Sequence, residues 1–255
     1  MAVTIKNKRE IERMREAGHV VALIHLQIEP AIVPGVTTHD LDMIAKAVLL
    51  EQGATSSFLG HHGFKGRICA SVNEEIVHGI PGGKVLKEGD IISVDVGAVV
   101  GGYHGDSAWT YPVGRISAKA AALLRDTEAS LYEGIAAAKA GRRLGAIGAA
   151  VERHALERHY GLVREYGGHG IGRRMWEDPH VPNHGNPERG ILLRPGMTLA
   201  IEPMLNVGRD ETQALDDGWT VVTADSSLSA HLEHTVAITN GDADILTKRL
   251  PSVVH

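Results

Sequence analysis

Cysteine is nearly absent from this chain of 255 residues, with Cys69 as its only instance. A single cysteine excludes an internal disulfide and a cysteine-rich zinc site, and it suits a reducing compartment. No apolar run reaches about 18 residues, the length that spans a membrane. The amino-terminal stretch MAVTIKNKREIERMREAG is charged and lacks the apolar segment of a signal peptide. We therefore expect a cytoplasmic protein that is neither exported nor membrane-bound.

Blocks of basic residues are also missing. The formal net charge is −5, so direct binding of nucleic acid is not expected. With 43% hydrophobic and 22% charged residues, the composition suits a globular protein of one large domain or two small ones. The fifteen histidines are numerous for this length and slightly favour metal chemistry.

A linker rich in proline, glycine or serine is absent, and the order of elements repeats instead. Cap and stop residues predict four helices: a capping box at Asn7 and Glu10, a threonine cap before a helix stopping at Gly53, Ser117 before one stopping at Gly141, and a last helix ending at Gly161. Strand-like runs follow each helix pair, at about 58–111 and again to about 240. Because only VGRIS joins residues 6–113 to 114–240, we expect one domain over 1–255, with two pseudo-symmetric halves that share a sheet.

Two aspartates lie within runs that otherwise resemble buried strand, in SVDVGAVVGGYHGDSAWTY (93–111). A turn at Gly101 and Gly102 folds the second run back, which brings Asp106 within a rung or two of Asp95. Two close, ionised carboxylates repel each other, so either one is protonated or a cation lies between them. From this hairpin alone, it is an equally good explanation that one or both aspartates cap a turn or lie at the solvated end of the sheet.

Three further candidates lie in the second half. MTLAIEPML places Glu202 in a strand-like run, and SAHLEHTVAIT does the same for Glu233, on the face of His231 and Thr235. His169 lies in EYGGHGIGRR, where flanking glycines leave room for close approach to the imidazole. GGHGIG lacks the lysine and serine or threonine of a phosphate loop, and its spacing does not match the dinucleotide fingerprint. Each residue alone is weak evidence.

Together these residues amount to four carboxylates and one imidazole. About four negative charges at the meeting of two halves would be neutralised by two divalent cations, and oxygen-rich ligation with one nitrogen suits manganese, iron, cobalt or zinc. Such a pair lowers the pKa of a bridging water and stabilises the oxygens of a hydrolytic transition state. Hydrolysis of an amide or a phosphate ester is therefore the predicted chemistry.

Four motifs in order, SVDVGAVVGGYHGDSAWTY, GGHGIGRR, LAIEPML and DDGWTVVTADSSLSAHLEHT, closely resemble methionine aminopeptidase of type I, in its short bacterial form, over about residues 6–240. The resemblance implies an α+β pita-bread fold, with helices of two pseudo-symmetric halves packed on a shared, curved, mainly antiparallel sheet. It also implies removal of the initiator methionine from nascent polypeptides whose second residue is small, by a metal-bridging hydroxide. Nascent amino termini are then the expected partners, the ribosome is a candidate partner, and a monomer is expected.

The resemblance assigns roles to residues of this sequence. It implies two divalent metal ions held by five ligands, Asp95, Asp106, His169, Glu202 and Glu233, with Asp106 and Glu233 bridging. Glu202 would also shuttle the proton, and His78 in NEEIVHGIPGG would donate a hydrogen bond beside the scissile amide. The pocket for the first residue would be lined by Phe58, His61, Phe64, Cys69, Met175 and Trp219, an apolar slot that suits a thioether.

One position departs from the family pattern. Trp176 stands seven residues after His169, where the family has a second substrate-facing histidine thought to stabilise the developing oxyanion. Trp176 can donate a hydrogen bond only as a neutral and bulkier group, and His180 is a candidate to replace the missing imidazole. We predict activity that survives but is slower or narrower in substrate.

Two other functions are compatible with the motifs. A metal-free pita-bread protein that binds peptides or partners would explain Trp176, but unmetallated buried carboxylates cost stability. A proline-directed aminopeptidase or prolidase has a similar site, but typically carries an additional amino-terminal domain for which 255 residues leave no room.

Overall fold

The computed structural model describes residues 3–251, so that residues 1, 2 and 252–255 of the expected 1–255 domain lie outside the described residues. Its α-helices are α1 (Lys8–Ile28), α2 (Thr38–Glu51), α3 (Ala118–Ala137) and α4 (Gly145–Glu157), with short 3-10 helices at Glu29–Ala31 and His61–Gly63. The strands of the first half are β1 (Thr55–Ser56), β2 (Ile68–Val72), β3 (Glu75–Val77), β4 (Ile91–Val100) and β5 (Tyr103–Pro112). The strands of the second half are β6 (Gly161–Leu162), β7 (Gly167–Gly170), β8 (Glu177–Pro182), β9 (Thr198–Ile201), β10 (Met204–Asn206), β11 (Thr212–Ala214), β12 (Val221–Thr223), β13 (Ser229–His231), β14 (His234–Ala237) and β15 (Asp244–Ile245). Between residues 3 and 251, no helix is long and apolar enough to cross a membrane.

Three of the four α-helices, α1, α2 and α3, begin at the predicted caps. Asn7 Oδ1 accepts from the backbone N–H of Glu10, and the Glu10 carboxylate accepts from the Asn7 N–H, which completes the capping box. Thr37 caps α2, and Ser117 caps α3. The capping residues therefore satisfy backbone donors that each helix would otherwise leave unpaired.

Both later helices end four residues before the predicted glycine. After Ala137 the chain leaves the helix so that the Gly141 N–H can donate to the Leu193 carbonyl, and Gly141 has a φ of 84° that a side chain would disfavour. Gly161 is the first residue of β6 and pairs with Asn206. Tertiary hydrogen bonds therefore decide where these helices stop.

The described strands pair antiparallel and form four hydrogen-bonded sheets. One contains β1, β4, β2 and β5 from the first half; the five-stranded one (β15-β14-β9-β7-β8) and β13-β10-β6 belong to the second half. The fourth, β11-β12-β3, joins the halves through the pairing of Val77 with Val221. The largest apolar cluster also spans both halves and includes buried residues of all four helices, Ile24, Leu41, Leu123 and Val151. We propose that residues 6–113 and 114–240 are the pseudo-repeats of one domain.

Helix α1 lies directly against the backbone of β5. A Cβ added to Gly105 would lie 2.7 Å from the Gly18 backbone nitrogen and 2.9 Å from the Ala17 carbonyl carbon. Backbone atoms cannot rotate away as the end of a flexible side chain can. Glycine at 105 therefore sets the spacing between the helix and the strand that carries Asp106.

Substitution Gly105→Ala is expected to destabilise the fold by about 3 kcal/mol, because it overpacks this contact. For a domain of this size, the loss corresponds to a fall in Tm of roughly 6–12 °C. Gly83→Ala is the matched control, since Gly83 is exposed, has no positive φ and has no atom within 4 Å of the added Cβ. Equal denaturation midpoints for the two variants would contradict the assigned role of Gly105.

Candidate active site

The hairpin of β4 and β5 brings the two aspartates together. Val100 pairs with Tyr103 across a two-residue turn in which Gly101 and Gly102 have φ values of 56° and 79°. The register places Asp95 opposite Ala108 and Asp106 opposite Gly97. Because residues 106 and 108 share a face, the side chains of Asp95 and Asp106 lie on one side of the sheet.

The two glutamates lie at breaks between strands, and not within strands as the apolar runs predicted. Glu202 follows β9 and is separated from β10 by Pro203, and Glu233 lies in the gap between β13 and β14. At both breaks the chain passes between the five-stranded sheet, which contains β9 and β14, and the sheet that contains β10 and β13. The change of sheet opens the space that both glutamates line.

His169 lies in β7, and its environment defines which ring nitrogen faces the carboxylates. Nδ1 lies 2.9 Å from the Gly170 carbonyl, which can only accept, so Nδ1 donates there and Nε2 is the nitrogen left to act as a ligand. Nε2 lies 3.7 Å from Asp106 Oδ2 and 3.8 Å from Glu202 Oε1. An imidazole oriented by a backbone carbonyl in this way is typical of metal-ligating histidines.

The flanking glycines serve strand packing rather than access to the imidazole. A Cβ on Gly168 would lie 2.1 Å from the Ala200 carbonyl oxygen, and one on Gly170 would lie 2.2 Å from the Asp178 carbonyl oxygen. His180 pairs with His169 across β7 and β8 but is exposed and does not line the cavity described below. It is therefore not placed to replace the histidine missing at position 176.

One cavity of about 240 Å³ is lined by the proposed ligands, by His78 and by the residues expected around the substrate: Phe58, His61, Phe64, Cys69, His78, Asp95, Asp106, His169, Met175, Trp176, Glu202, Trp219 and Glu233. Its apolar wall includes Phe64, whose ring lies 5.0 Å from that of Trp219 in a T-shaped arrangement. Cys69 lies in β2 and pairs with Asp95 of the neighbouring strand β4. Burial, reinforced by the Asp95 carboxylate, raises the pKa of the Cys69 thiol well above its usual value. Cys69 is thus a neutral wall of the slot and not a nucleophile.

The four carboxyl groups of the site differ in how readily they ionise. Burial, reinforced by neighbouring carboxylates, raises the pKa of Asp106 and of Glu233 well above their usual values. Burial also raises the pKa of Asp95, to about 6. Burial alone would raise the pKa of Glu202 too, but a close His231 and two more histidines outweigh it and lower that pKa. Glu202 is therefore the carboxylate that stays ionised most readily.

His231 is a site residue to which the sequence pattern assigned no role. Its side chain is buried, and its Nε2 lies 3.5 Å from Glu202 Oε2. Its backbone carbonyl accepts a hydrogen bond from Thr110 Oγ1 at 2.9 Å, which ties β13 to β5. The period-two alternation that put His231 on the face of Glu233 was the indication available from sequence.

The donor set fits divalent cations. Within the described chain, three buried carboxylate oxygens have no hydrogen-bond partner: Asp95 Oδ1, Asp106 Oδ1 and Glu233 Oε1. Ligand atoms of Asp106, His169 and Glu233 all lie within 4.8 Å of one another. Buried, unpaired oxygens that converge with an imidazole nitrogen are costly without a cation and favourable with one.

His78 and Trp176 lie on the rim of this cavity. His78 follows β3 with a φ of 61°, and burial lowers the pKa of its imidazole, so the neutral ring can donate one hydrogen bond near pH 7. Trp176 is 43% exposed, and its ring centroid lies 6.1 Å from that of His169 and 4.3 Å from that of His61.

Comparison with known proteins agrees with this geometry. Residues 12–240 match Metallopeptidase family M24. Methionine aminopeptidase 1 of Bacillus subtilis is 53% identical over 246 residues, which cover 96% of this chain and 99% of the relative. The crystal structure of methionine aminopeptidase from Thermotoga maritima has a TM-score of 0.96 at 44% identity and covers 97% of this chain and 100% of that one.

A more distant likeness bears on the fold alone. Prolidase from Pyrococcus furiosus has a TM-score of 0.78 at 22% identity, and the match covers 97% of this chain but 66% of the prolidase. With the structure above, these similarities confirm the predicted pita-bread fold and the resemblance to methionine aminopeptidases. Because the family match and the full-length relatives agree, the chain belongs to metallopeptidase family M24 and is related along nearly its whole length to methionine aminopeptidases.

Proposed function

We propose that the protein is a metal-dependent methionyl aminopeptidase that removes the initiator methionine from nascent polypeptides whose second residue is small. The observation that carries this proposal is the single cavity that joins a carboxylate and histidine cluster to an apolar slot. Its volume of about 240 Å³ is below that of pockets for drug-sized ligands, roughly 300–1,000 Å³. A methionine side chain followed by a small residue suits a space of this size.

We assign the roles of the residues as follows. Two divalent ions, of manganese, iron, cobalt or zinc, would be held by Asp95, Asp106, His169, Glu202 and Glu233. When bound, such ions would lower the pKa of a coordinated water, and the resulting hydroxide would be the nucleophile for hydrolysis of the amide after methionine. Glu202 would accept and return the proton, since its carboxylate lines the cavity and is in its proton-accepting form near neutral pH. His78 donates to the scissile amide, and the aromatic slot excludes water from the thioether.

The test of this function is release of methionine from a Met-Ala-Ser peptide by metal-stripped protein titrated with Mn(II), Co(II) and Fe(II). We expect release that depends on metal and saturates with it. A Xaa-Pro dipeptide assayed in parallel distinguishes a prolidase, whose fold the chain shares. Two tightly bound metals without release from either peptide would favour the non-catalytic binder and contradict our proposal.

We propose the cytoplasm as the place of action and a monomer as the working form, with nascent amino termini as partners. The single, buried cysteine is compatible with a reducing compartment. Association with the ribosome would bring the site to its substrates, and sedimentation of the protein with purified ribosomes would test it.

Substitution Trp176→His is expected to raise kcat/KM on a Met-initiated peptide by about tenfold or more. The indole at this position packs against the His61 ring and carries no charge, whereas an imidazole can stabilise a developing oxyanion, an interaction often worth about a hundredfold in rate. Trp219→His is the control, since it adds a histidine to the apolar wall that Trp219 forms with Phe64. No gain in the 176 variant, or a loss, would contradict the idea that Trp176 limits the rate.

A further inference from the structure

A second groove of about 510 Å³ adjoins the candidate active site. It is lined by Ser57, His61, His62, His104, Arg173, Arg174, Met175 and Trp176. Three of these residues, His61, Met175 and Trp176, also line the active-site cavity. A chain leaving the cavity past Trp176 therefore enters this groove.

One wall of the groove, formed by residues 172–177, is held in place by the amino-terminal segment that contains Thr4 and Lys6. Glu177 accepts hydrogen bonds from Lys6 Nζ at 2.7 Å and from Thr4 Oγ1 at 2.7 Å, and the side chains of the Lys6–Glu177 pair are each 6% exposed. Glu177 also accepts from the Arg174 N–H at 3.2 Å. Because breaking a buried ion pair leaves an uncompensated charge, this wall is held in place.

The opposite wall is also ordered. The His104 backbone N–H donates to the Gly172 carbonyl at 2.8 Å, which ties the two walls together. The His104 ring is hydrogen-bonded to Ser57 Oγ at 2.9 Å through Nδ1. Burial lowers the pKa of His104 and of His61, so near neutral pH these rings are hydrogen-bonding groups rather than cations. The groove is therefore preorganised, because hydrogen bonds within the protein hold both of its walls.

The permanent charges that line the groove are positive. Arg173 and Arg174 are both exposed, and no aspartate or glutamate lines the groove among the described residues. Arg173 packs over the Tyr103 ring at 4.6 Å, with Glu10 Oε1 3.9 Å from its Nη2, a long and exposed contact that neutralises it only in part. The nearby Glu177 is already paired with Lys6. The formal charges of the lining side chains therefore favour an anion over a cation.

Distances place the groove relative to the bond that would be cut. The Trp176 ring, which borders both the cavity and the groove, lies 6.1 Å from the ring of His169. An extended peptide advances about 3.3–3.6 Å per residue, so a chain that starts beside His169 passes Trp176 after about two residues and has its third residue in the groove.

We infer that this groove binds the third and following residues of the peptide substrate and favours carboxylate side chains there. The inference rests on the proposed function, which it refines by defining the substrate class. The attraction is between exposed charges and is therefore modest and weakened by salt.

The experiment compares kcat/KM of the metal-loaded protein on Met-Ala-Asp-Asp-Ser and Met-Ala-Lys-Lys-Ser. At about 20 mM salt we expect the aspartate peptide to be preferred by about tenfold, and at about 0.5 M salt by less than about twofold. The double variant Arg173→Gln/Arg174→Gln should bring the low-salt ratio near one. Arg115→Gln is the control, because the Arg115 side chain is 99% exposed and does not line the groove. This variant should keep the wild-type ratio.

The outcomes separate this inference from the function on which it rests. Equal rates on the two peptides at low salt, or a preference for lysine, would overturn the inference while leaving the aminopeptidase activity intact. No release from either peptide with any of the metals would contradict the proposed function itself. The wild-type comparison needs no variant, so a folding defect in the double variant would not obscure the result.

Discussion

Replacing Glu202 with glutamine is expected to lower kcat by about a thousandfold or more. Glutamine keeps the size of the side chain but neither accepts a proton nor carries the charge that His169 and His231 face. Positioned general bases contribute about a hundredfold to ten-thousandfold, and weaker metal ligation adds to the loss. Steady-state release of methionine from Met-Ala-Ser at saturating metal measures the effect.

The matched control for this substitution is Glu211→Gln, at an exposed glutamate of the same half. Metal content, measured on both variants, separates loss of proton transfer from loss of ligation. A kcat of Glu202→Gln within tenfold of the wild type would show that Glu202 is neither the proton carrier nor an essential ligand.

Replacing Asp106 with asparagine is expected to remove metal-induced stabilisation without destabilising the metal-free protein. Without a cation, the buried Asp106 carboxyl lies beside those of Asp95 and Glu233, and ionised groups there would repel one another. An amide relieves that repulsion but cannot bridge two cations. At a metal concentration of about 100 times Kd, the wild type should gain about 2.7 kcal/mol, or roughly 5–10 °C in Tm, and the variant almost nothing.

The pH dependence of the stability of the metal-free protein provides a second measurement on the Asp106→Asn variant. A carboxyl whose pKa is raised in the folded state contributes stability at low pH, and that contribution is lost as pH rises through the folded pKa. The pKa of Asp106 is raised by burial and by its neighbours, and that of Asp95 is raised to about 6. The Tm of the wild type should therefore fall relative to that of Asp106→Asn between pH 5 and pH 8.

Asp216→Asn, at an exposed aspartate, is the matched control and should follow the wild type at every pH. A metal-induced shift of similar size in Asp106→Asn and wild type would rule out Asp106 as a bridging ligand. A metal-free variant that melts well below the wild type at pH 8 would show instead that the carboxylate stabilises the fold.

Features with local causes were predicted well. The capping box of Asn7 and Glu10 and the turn at Gly101 and Gly102 formed as expected, because each depends on hydrogen bonds or φ angles within a few residues. The turn length then fixed the register that sets Asp106 near Asp95. The ends of α3 and α4 were misplaced, because long-range hydrogen bonds decide them.

Features that depend on contacts between residues far apart in the chain could not be predicted from the pattern of apolar and polar residues. Alternation showed that Glu202 and Glu233 lie in apolar runs, but it cannot show that the chain changes sheet at each of them. Nor could it show that His231 lies against Glu202, or that Lys6 anchors Glu177 from a position 171 residues away in the chain. These contacts depend on how the two halves pack.

The kinds of side chain available for chemistry, and the short-range turns and caps that present them, follow from the order of residues, because those interactions close within one turn or one hairpin. The convergence of ligands from both halves on one cavity was implied by the resemblance of its motifs to a known family, not by periodicity. Which carboxylate stays ionised, and where the basic groove runs beside Trp176, became defined only when the halves packed together. Burial and the approach of distant charges set those properties, and neither exists before the chain is folded.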